Sequence, residues 1–253
     1  MLSCSSLPLT HLPVPEALAR LAAMGFDSWE LPIRGDGVHL GHLDPVALLA
    51  SPEVGERFTR DVRAVESLRL VSAGFEIDRR SDVAREQKLL DACAALLAPL
   101  GCRTMTVFAF DDGAAPNETR LPALARVLSR YGMRMVIETH KRTTTQDPVR
   151  ALALCEAMQV SLNLDHSHYI GQGYELSVVK PLLPHVVALQ VRGCGPGALE
   201  AAVEGPADEG LQAWRRDVLE ALPAETPVTI EYIDRQRNWE PSIRNLRALI
   251  SNK

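Results

Sequence analysis

Only five cysteines occur in the 253 residues, Cys4, Cys93, Cys102, Cys155 and Cys194, an odd and widely spaced set with no C-x-x-C. That argues against a disulfide framework and against a zinc knuckle. Positive charge is not in excess either: 27 Lys+Arg against 32 Asp+Glu leave a formal charge of −5. The basic face with which a nucleic-acid binder would meet phosphates is therefore missing. No stretch of ~20 apolar residues is present to span a membrane, and the start, MLSCSSLPLTHLP, has no basic n-region of a signal peptide, so a cytoplasmic protein is expected. No G-x-G-x-x-G or P-loop follows an early apolar run, which disfavours an open nucleotide-binding sheet.

What is present is an alternation of short β-rich apolar runs with longer segments of helical period. The expected strands are 2–5, 26–31, 68–75, 103–110, 133–140, 160–165, 186–192 and 228–233. Leu18, Leu21 and Met24 form one helical stripe, ended by Gly25. Leu211, Trp214, Val218 and Leu222 form another, stopped by Pro223. Asp147-Pro148 reads as an N-cap followed by proline at the first helical position. With 46% hydrophobic and 23% charged residues the composition is globular, and the length suits a (β/α)₈ barrel of about 250 residues. The expectation is one (β/α)₈ TIM barrel over residues 1–253.

A barrel places its active site at the carboxyl ends of its strands. There the fifth to eighth runs, MRMVIETH, VSLNLDHSH, HVVALQVRG and PVTIEYI, supply Glu138, Asp165, Gln190 and Glu231 in turn. Strands about 4.8 Å apart let such side chains converge. Three converging carboxylates repel unless a cation neutralises them, so one divalent metal ion is implied. Oxygen donors favour Mn²⁺ or Mg²⁺ over Zn²⁺. The alternative is that each acid pairs with an arginine or caps the next helix.

The stretches VIETH, NLDHSHYIGQG, ALQVRG, EGPADEGLQAWRRDVLEAL and TIEYI, with the early GFDSWEL, resemble the xylose-isomerase-like TIM-barrel superfamily. That family contains sugar (phosphate) isomerases and epimerases and also apurinic-site endonucleases. The resemblance implies that Glu138, Asp165, position 190 and Glu231 hold a catalytic metal, and that His168 and Arg192 contact substrate. It also implies a homo-oligomer as a common assembly. Position 190 departs from the pattern, because it is Gln where the family has His. The endonuclease branch needs further histidines in the third and fourth strands, but VSAGFEI and TVFAF have none, so DNA repair is disfavoured.

The chemistry expected is that of a sugar or keto-polyol isomerase or epimerase working through an enediolate, with Glu138 and Glu231 as paired bases. Two alternatives stay open: a metal-dependent dehydratase of a cyclic keto-polyol, and a catalytically inactive sugar-binding barrel, which Gln190 would favour. His140 shares the inward phase of Glu138 and is a substrate-binding candidate. His166 has the opposite phase and is expected to face the helices. Glu30 and Glu76 read as ion pairs or helix caps rather than sugar ligands, and Cys194 as a thiol with no base beside it. The segment IRGDGVHLGHLD, with His39 and His42, reads as a loop over the site. DRQRNWE, with Arg235, Arg237 and Trp239, and KRTTTQ offer arginines and a lysine that could hold an anion.

Overall fold

The computed structural model describes residues 1–35, 41–205 and 209–251. Eight parallel strands form a closed barrel in sequence order: β1 (Leu2–Ser5), β2 (Ser28–Gly35), β3 (Arg69–Ile77), β4 (Thr104–Val107), β5 (Arg134–Glu138), β6 (Leu162–Asp165), β7 (Val186–Val191) and β8 (Val228–Ile230). The ring closes where β1 pairs with β8, Leu2 opposite Val228. All eight expected strands are present, and most are shorter or shifted. The second starts later and runs on to Gly35, while the last ends at Ile230, because ladder pairing stops where the chain turns out toward the mouth.

The helices between them are α1 (Val14–Ala23), α2 (Pro45–Ala50), α3 (Pro52–Arg63), α4 (Val83–Leu97), α5 (Asn117–Ser129), α6 (Pro148–Met158), α7 (Ser167–Ile170), α8 (Glu209–Trp214) and α9 (Glu240–Ser251). Asp147 caps α6 as expected, accepting the N–H groups of Val149 and Arg150 at 2.9 and 3.0 Å. The expected seventh helix differs: after α8 it widens into a π-turn over Arg215–Leu219. The extra residue per turn brings Val218 and Leu219 into the core together, both buried. Among the described residues no helix is long and apolar enough to cross a membrane.

The alternation of side chains along each strand divides the core in two. One phase, with Trp29, Leu31, Phe75, Ile137, Leu164, Leu189 and Ile230, packs in the continuous apolar cluster shared with the helices. The other phase faces the lumen and is polar: Ser3, Glu30, Ser72, Thr106, Asn163, Gln190 and Thr229 are all buried or nearly so. Several of them bond one another around the ring. Ser3 Oγ lies 2.8 Å from Thr229 Oγ1, Asn163 Nδ2 donates to Thr106 Oγ1 at 3.2 Å, and Ser72 Oγ donates to Glu30 at 2.8 Å. A small cavity of about 30 Å³ lies among these groups. Bulky aliphatic layers, usual in such barrels, are replaced here by hydroxyl and amide groups.

Candidate metal centre

Glu138 ends β5, Asp165 ends β6 and Glu231 follows β8 directly. Their carboxylates converge, with one oxygen of each lying within 4.8 Å of the others, and all three side chains are buried. The sequence NLDHSH makes this local geometry: β6 gives way at once to α7, and Asp165 Oδ1 accepts the Ser167 N–H at 2.9 Å and its hydroxyl at 2.6 Å. The i,i+3 spacing then sets His168 over the aspartate, with Nε2 at 3.4 Å from Asp165 Oδ2 and 3.9 Å from Glu138 Oε1. Thr145 Oγ1 donates to the Glu138 carbonyl at 2.7 Å and pins the end of β5.

Arg192, one residue beyond β7, is fully buried among these acids. Its Nη2 contacts Asp165 Oδ2 and lies 3.1 Å from Glu231 Oε2. Gly193 follows because a Cβ there would collide with the Ala201 carbonyl; its N–H donates to the Tyr232 hydroxyl at 3.0 Å. Burial pushes the Glu138 carboxyl well up from its ordinary range, and the charges of Glu231 and Asp165 add to this. Burial likewise raises Glu231, to about 7, against the opposing pull of Arg192. Asp165 goes the other way: burial would raise it, but Arg192, His168, His166 and the Ser167 hydroxyl together hold it below the usual carboxylate range.

Gln190 stands opposite Asp165 in the β6–β7 ladder. Its Nε2 donates to Glu30 Oε1 at 3.0 Å across the lumen. That bond fixes the amide so that Oε1, the atom able to ligate a metal, is left buried with no hydrogen-bond partner among the described residues. Both ring nitrogens of His168 are in the same condition. Three carboxylates, an unpartnered amide oxygen and the His168 imidazole are donors of the kind a divalent cation takes, although Arg192 already pairs with two of the carboxylates, Asp165 and Glu231.

His140 packs against His168, ring centroids 4.0 Å apart, and edge-on to Phe108 at 5.0 Å. Its Nδ1 lies 2.6 Å from the Lys141 carbonyl, which can only accept, so Nδ1 carries the proton and Nε2 keeps its lone pair. Burial lowers this imidazole to about 4. At the same end of the barrel opens a mouth of about 710 Å³, lined by Leu7, Phe108, His140, Lys141, Leu199 and Arg235 among others; the three buried carboxylates do not line it, but His140 and Ile233, two residues beyond Glu138 and Glu231, do.

A family model described as xylose isomerase-like TIM barrel matches residues 18–249. The chain belongs to this family. No protein of curated function matches it in sequence. Among solved structures it is similar to the probable 3-DHS dehydratase AsbF of Bacillus anthracis, at 15% identity over 98% of this chain and 97% of that one, with a TM-score of 0.70. It is similar to the D-allulose 3-epimerase of Methylomonas sp. in complex with D-allulose, at 14% identity over 100% and 96%, TM-score 0.66. It is also similar to a xylose isomerase-like TIM barrel protein of Mycobacterium smegmatis in complex with magnesium, at 15% identity over 99% and 96%, TM-score 0.65. At these identities the likeness is one of fold.

The structure thus brings Glu138, Asp165, Gln190, Glu231, His168, Arg192 and His140 to one end of the barrel. Three lesser expectations are corrected. Glu30 forms no ion pair or cap among the described residues but sits mid-strand in the lumen, bonded to Ser72 and Gln190, because an inward residue on β2 can reach only other lumen groups. Cys194 has a base beside it, His166 Nε2 at 3.7 Å, since His166 turns away from the site onto Trp214, rings 5.5 Å apart. His42 is tied into the fold by a 2.9 Å bond from Nδ1 to Ser6 Oγ. His39 and its neighbours 36–40 lie outside the described residues. Glu76 pairs with Arg34, and Arg237 lies 3.7 Å from Asp234, both as ion pairs of the expected kind. Glu200 was not singled out in sequence; it accepts the backbone N–H groups of Ile233 and Asp234 and lies 3.7 Å from Arg192 Nη1. Its position outside any strand gave no periodic signal.

Proposed function

We propose that this barrel is a divalent-metal-dependent isomerase or epimerase of a sugar or keto-polyol, working through an enediolate, with Mn²⁺ or Mg²⁺ preferred over Zn²⁺ for an oxygen-rich donor set. The observation that carries this reading is the convergence of Glu138 and Glu231 with Asp165, from strands on two sides of one mouth, within 4.8 Å. The ion, held by Glu138, Asp165, Gln190 and Glu231, would polarise the substrate carbonyl and steady the negative charge that develops on its oxygen.

The chain's own residues do the rest. Glu138 and Glu231 approach the reacting carbon from different strands, so one removes a proton and the other returns one. His140, with Nε2 free as an acceptor, takes a hydrogen bond from a substrate hydroxyl. His168 and Arg192 orient the adjoining oxygens, and Phe108 helps exclude water from the reacting face.

The test is exchange in deuterated water with ketose and cyclic keto-polyol panels, read by mass spectrometry. Deuterium gained at carbon without other mass change, lost in Glu138→Gln and Glu231→Gln, is the expected result. Loss of water from substrate would assign the dehydratase chemistry instead. Sugar binding with no exchange under any metal would reduce the protein to a binding barrel.

A further inference from the structure

We infer that the substrate carries an anionic group, a carboxylate or a phosphate, held at the mouth by Lys141 and Arg235. This builds on the reading above only in taking the mouth at the Glu138 and Glu231 end of the barrel as the substrate's place. Six cationic side chains line that mouth, Arg34, Arg79, Arg80, Lys141, Arg142 and Arg235, against four acids, Glu76, Asp78, Glu200 and Asp234. Each acid is already engaged. Glu76 pairs with Arg34, Asp78 lies 3.6 Å from Arg80, Asp234 lies 3.7 Å from Arg237, and Glu200 is occupied by the amides of Ile233 and Asp234. Arg79 in turn pairs with Asp112 at 2.9 Å.

Lys141, Arg142 and Arg235 form no ion pair with any carboxylate among the described residues. Two of them, Lys141 and Arg235, are only half exposed. A cation drawn partly out of water without a counter-charge is unfavourable, and an anionic ligand between the two removes the conflict. Their placement fits such a ligand: Lys141 lies shortly after Glu138, and Arg235 shortly after Glu231. Each thus stands on the loop that continues from one of the two glutamates.

The Lys141 loop is built to hold its shape. Thr143 Oγ1 donates to the His140 carbonyl at 2.6 Å, the Thr144 N–H donates to the Ala109 carbonyl at 2.7 Å, and Thr144 Oγ1 donates to Asp111 at 2.8 Å. Arg142 is held at φ 64, in the left-handed region, with its N–H donating to Gln146 Oε1 at 3.2 Å. The three threonines of KRTTTQ serve to anchor a lysine and an arginine at the rim.

The test is calorimetric titration of the full chain, with Mn²⁺ and after chelation, using paired probes. D-fructose is set against D-fructose 6-phosphate, methyl shikimate against shikimate, and inorganic phosphate is titrated alone. At least one charged probe is expected to bind about tenfold or more tightly than its neutral partner, and Lys141→Met and Arg235→Met each to remove most of that preference. Affinity for the neutral probes and for Mn²⁺ should stay unchanged, which shows that the variants are folded. A preference for fructose 6-phosphate and inorganic phosphate identifies a phosphate; one for shikimate identifies a carboxylate. Equal binding, or none, within both pairs overturns the inference, as does a preference that survives both substitutions. The readout is binding alone, so an anion site without deuterium exchange would sink the isomerase reading and leave this one standing, and exchange of neutral sugars without anion preference would do the reverse.

Discussion

Replacing Arg192 with methionine separates its electrostatic role from its packing role, because the two side chains are similar in length and the site is fully buried. In the metal-free protein the substitution leaves Asp165 and Glu231 buried without their cation. Removing one partner of a buried ion pair costs about 3–5 kcal/mol. For a chain of this size each kcal/mol moves the unfolding midpoint by about 2–4 °C, so a fall on the order of 10 °C is expected. Saturating Mn²⁺ supplies the missing positive charge to the same two carboxylates, so the gap between variant and wild type should close by more than half. The assay is differential scanning calorimetry of chelator-treated and Mn²⁺-loaded protein at pH 7.5. A gap of the same size with and without metal would refute the reasoning and make Arg192 a packing residue. A loss below about 2 °C would show that the carboxylates shed their charge by taking up protons at little cost.

Other outcomes follow from the same geometry. Mn²⁺ at ~100 times its dissociation constant should stabilise the wild type by about 2.7 kcal/mol, and Glu231→Gln should abolish the shift in a thermal-unfolding titration. Gln190→His should tighten Mn²⁺ binding about tenfold by calorimetry, since imidazole is the better donor and Glu30 can accept its other N–H; unchanged affinity would mean that position 190 does not touch the ion. Glu138 and Glu231 have carboxyl groups raised in the fold, so the folded protein keeps protons that the unfolded chain releases. The buried neutral histidines His42, His140 and His166, lowered to about 4, act in the opposite sense, so the effect of Glu231 is read as a difference: metal-free wild type should lose stability relative to Glu231→Gln as pH rises from the ordinary carboxylate range through about 7. Equilibrium urea unfolding of both proteins between pH 5 and 8 measures this, and a difference that stays constant, or that moves in favour of wild type, would contradict it.

The barrel was legible because its outward phase is apolar and its helices are punctuated by Asp147-Pro148, Gly25 and Pro223. The carboxylate cluster was legible because strand ends carry it, and D-x-x-H fixes His168 over Asp165 by helical spacing alone. The lumen was not. Glu30 in SWEL has the pattern of a strand-end acid, and only the closing of the ring shows that its partner is Gln190, 160 positions away. The same is true of Cys194 and His166, whose proximity arises from neighbouring strands rather than from any motif. The π-turn at Arg215–Leu219 left no mark either, because its stripe of Leu211, Trp214 and Val218 reads equally well as a regular helix.

The pairing of β1 with β8 has a consequence for how the site comes into being. Ser3 and Thr229, which meet at 2.8 Å, are 226 positions apart in the chain, so the seam between them is the most entropically expensive junction to form. Glu231 does not wait for that seam: its N–H donates to the Val191 carbonyl at 3.1 Å, so the carboxylate trio is laid out by the consecutive pairings of β5 to β8. What the seam completes is the aim of Gln190, because the bond that turns its amide joins β7 to Glu30 on β2 and exists only when the ring is shut. The last stitch of the barrel thus sets not the charges of the site but the direction of its one amide oxygen.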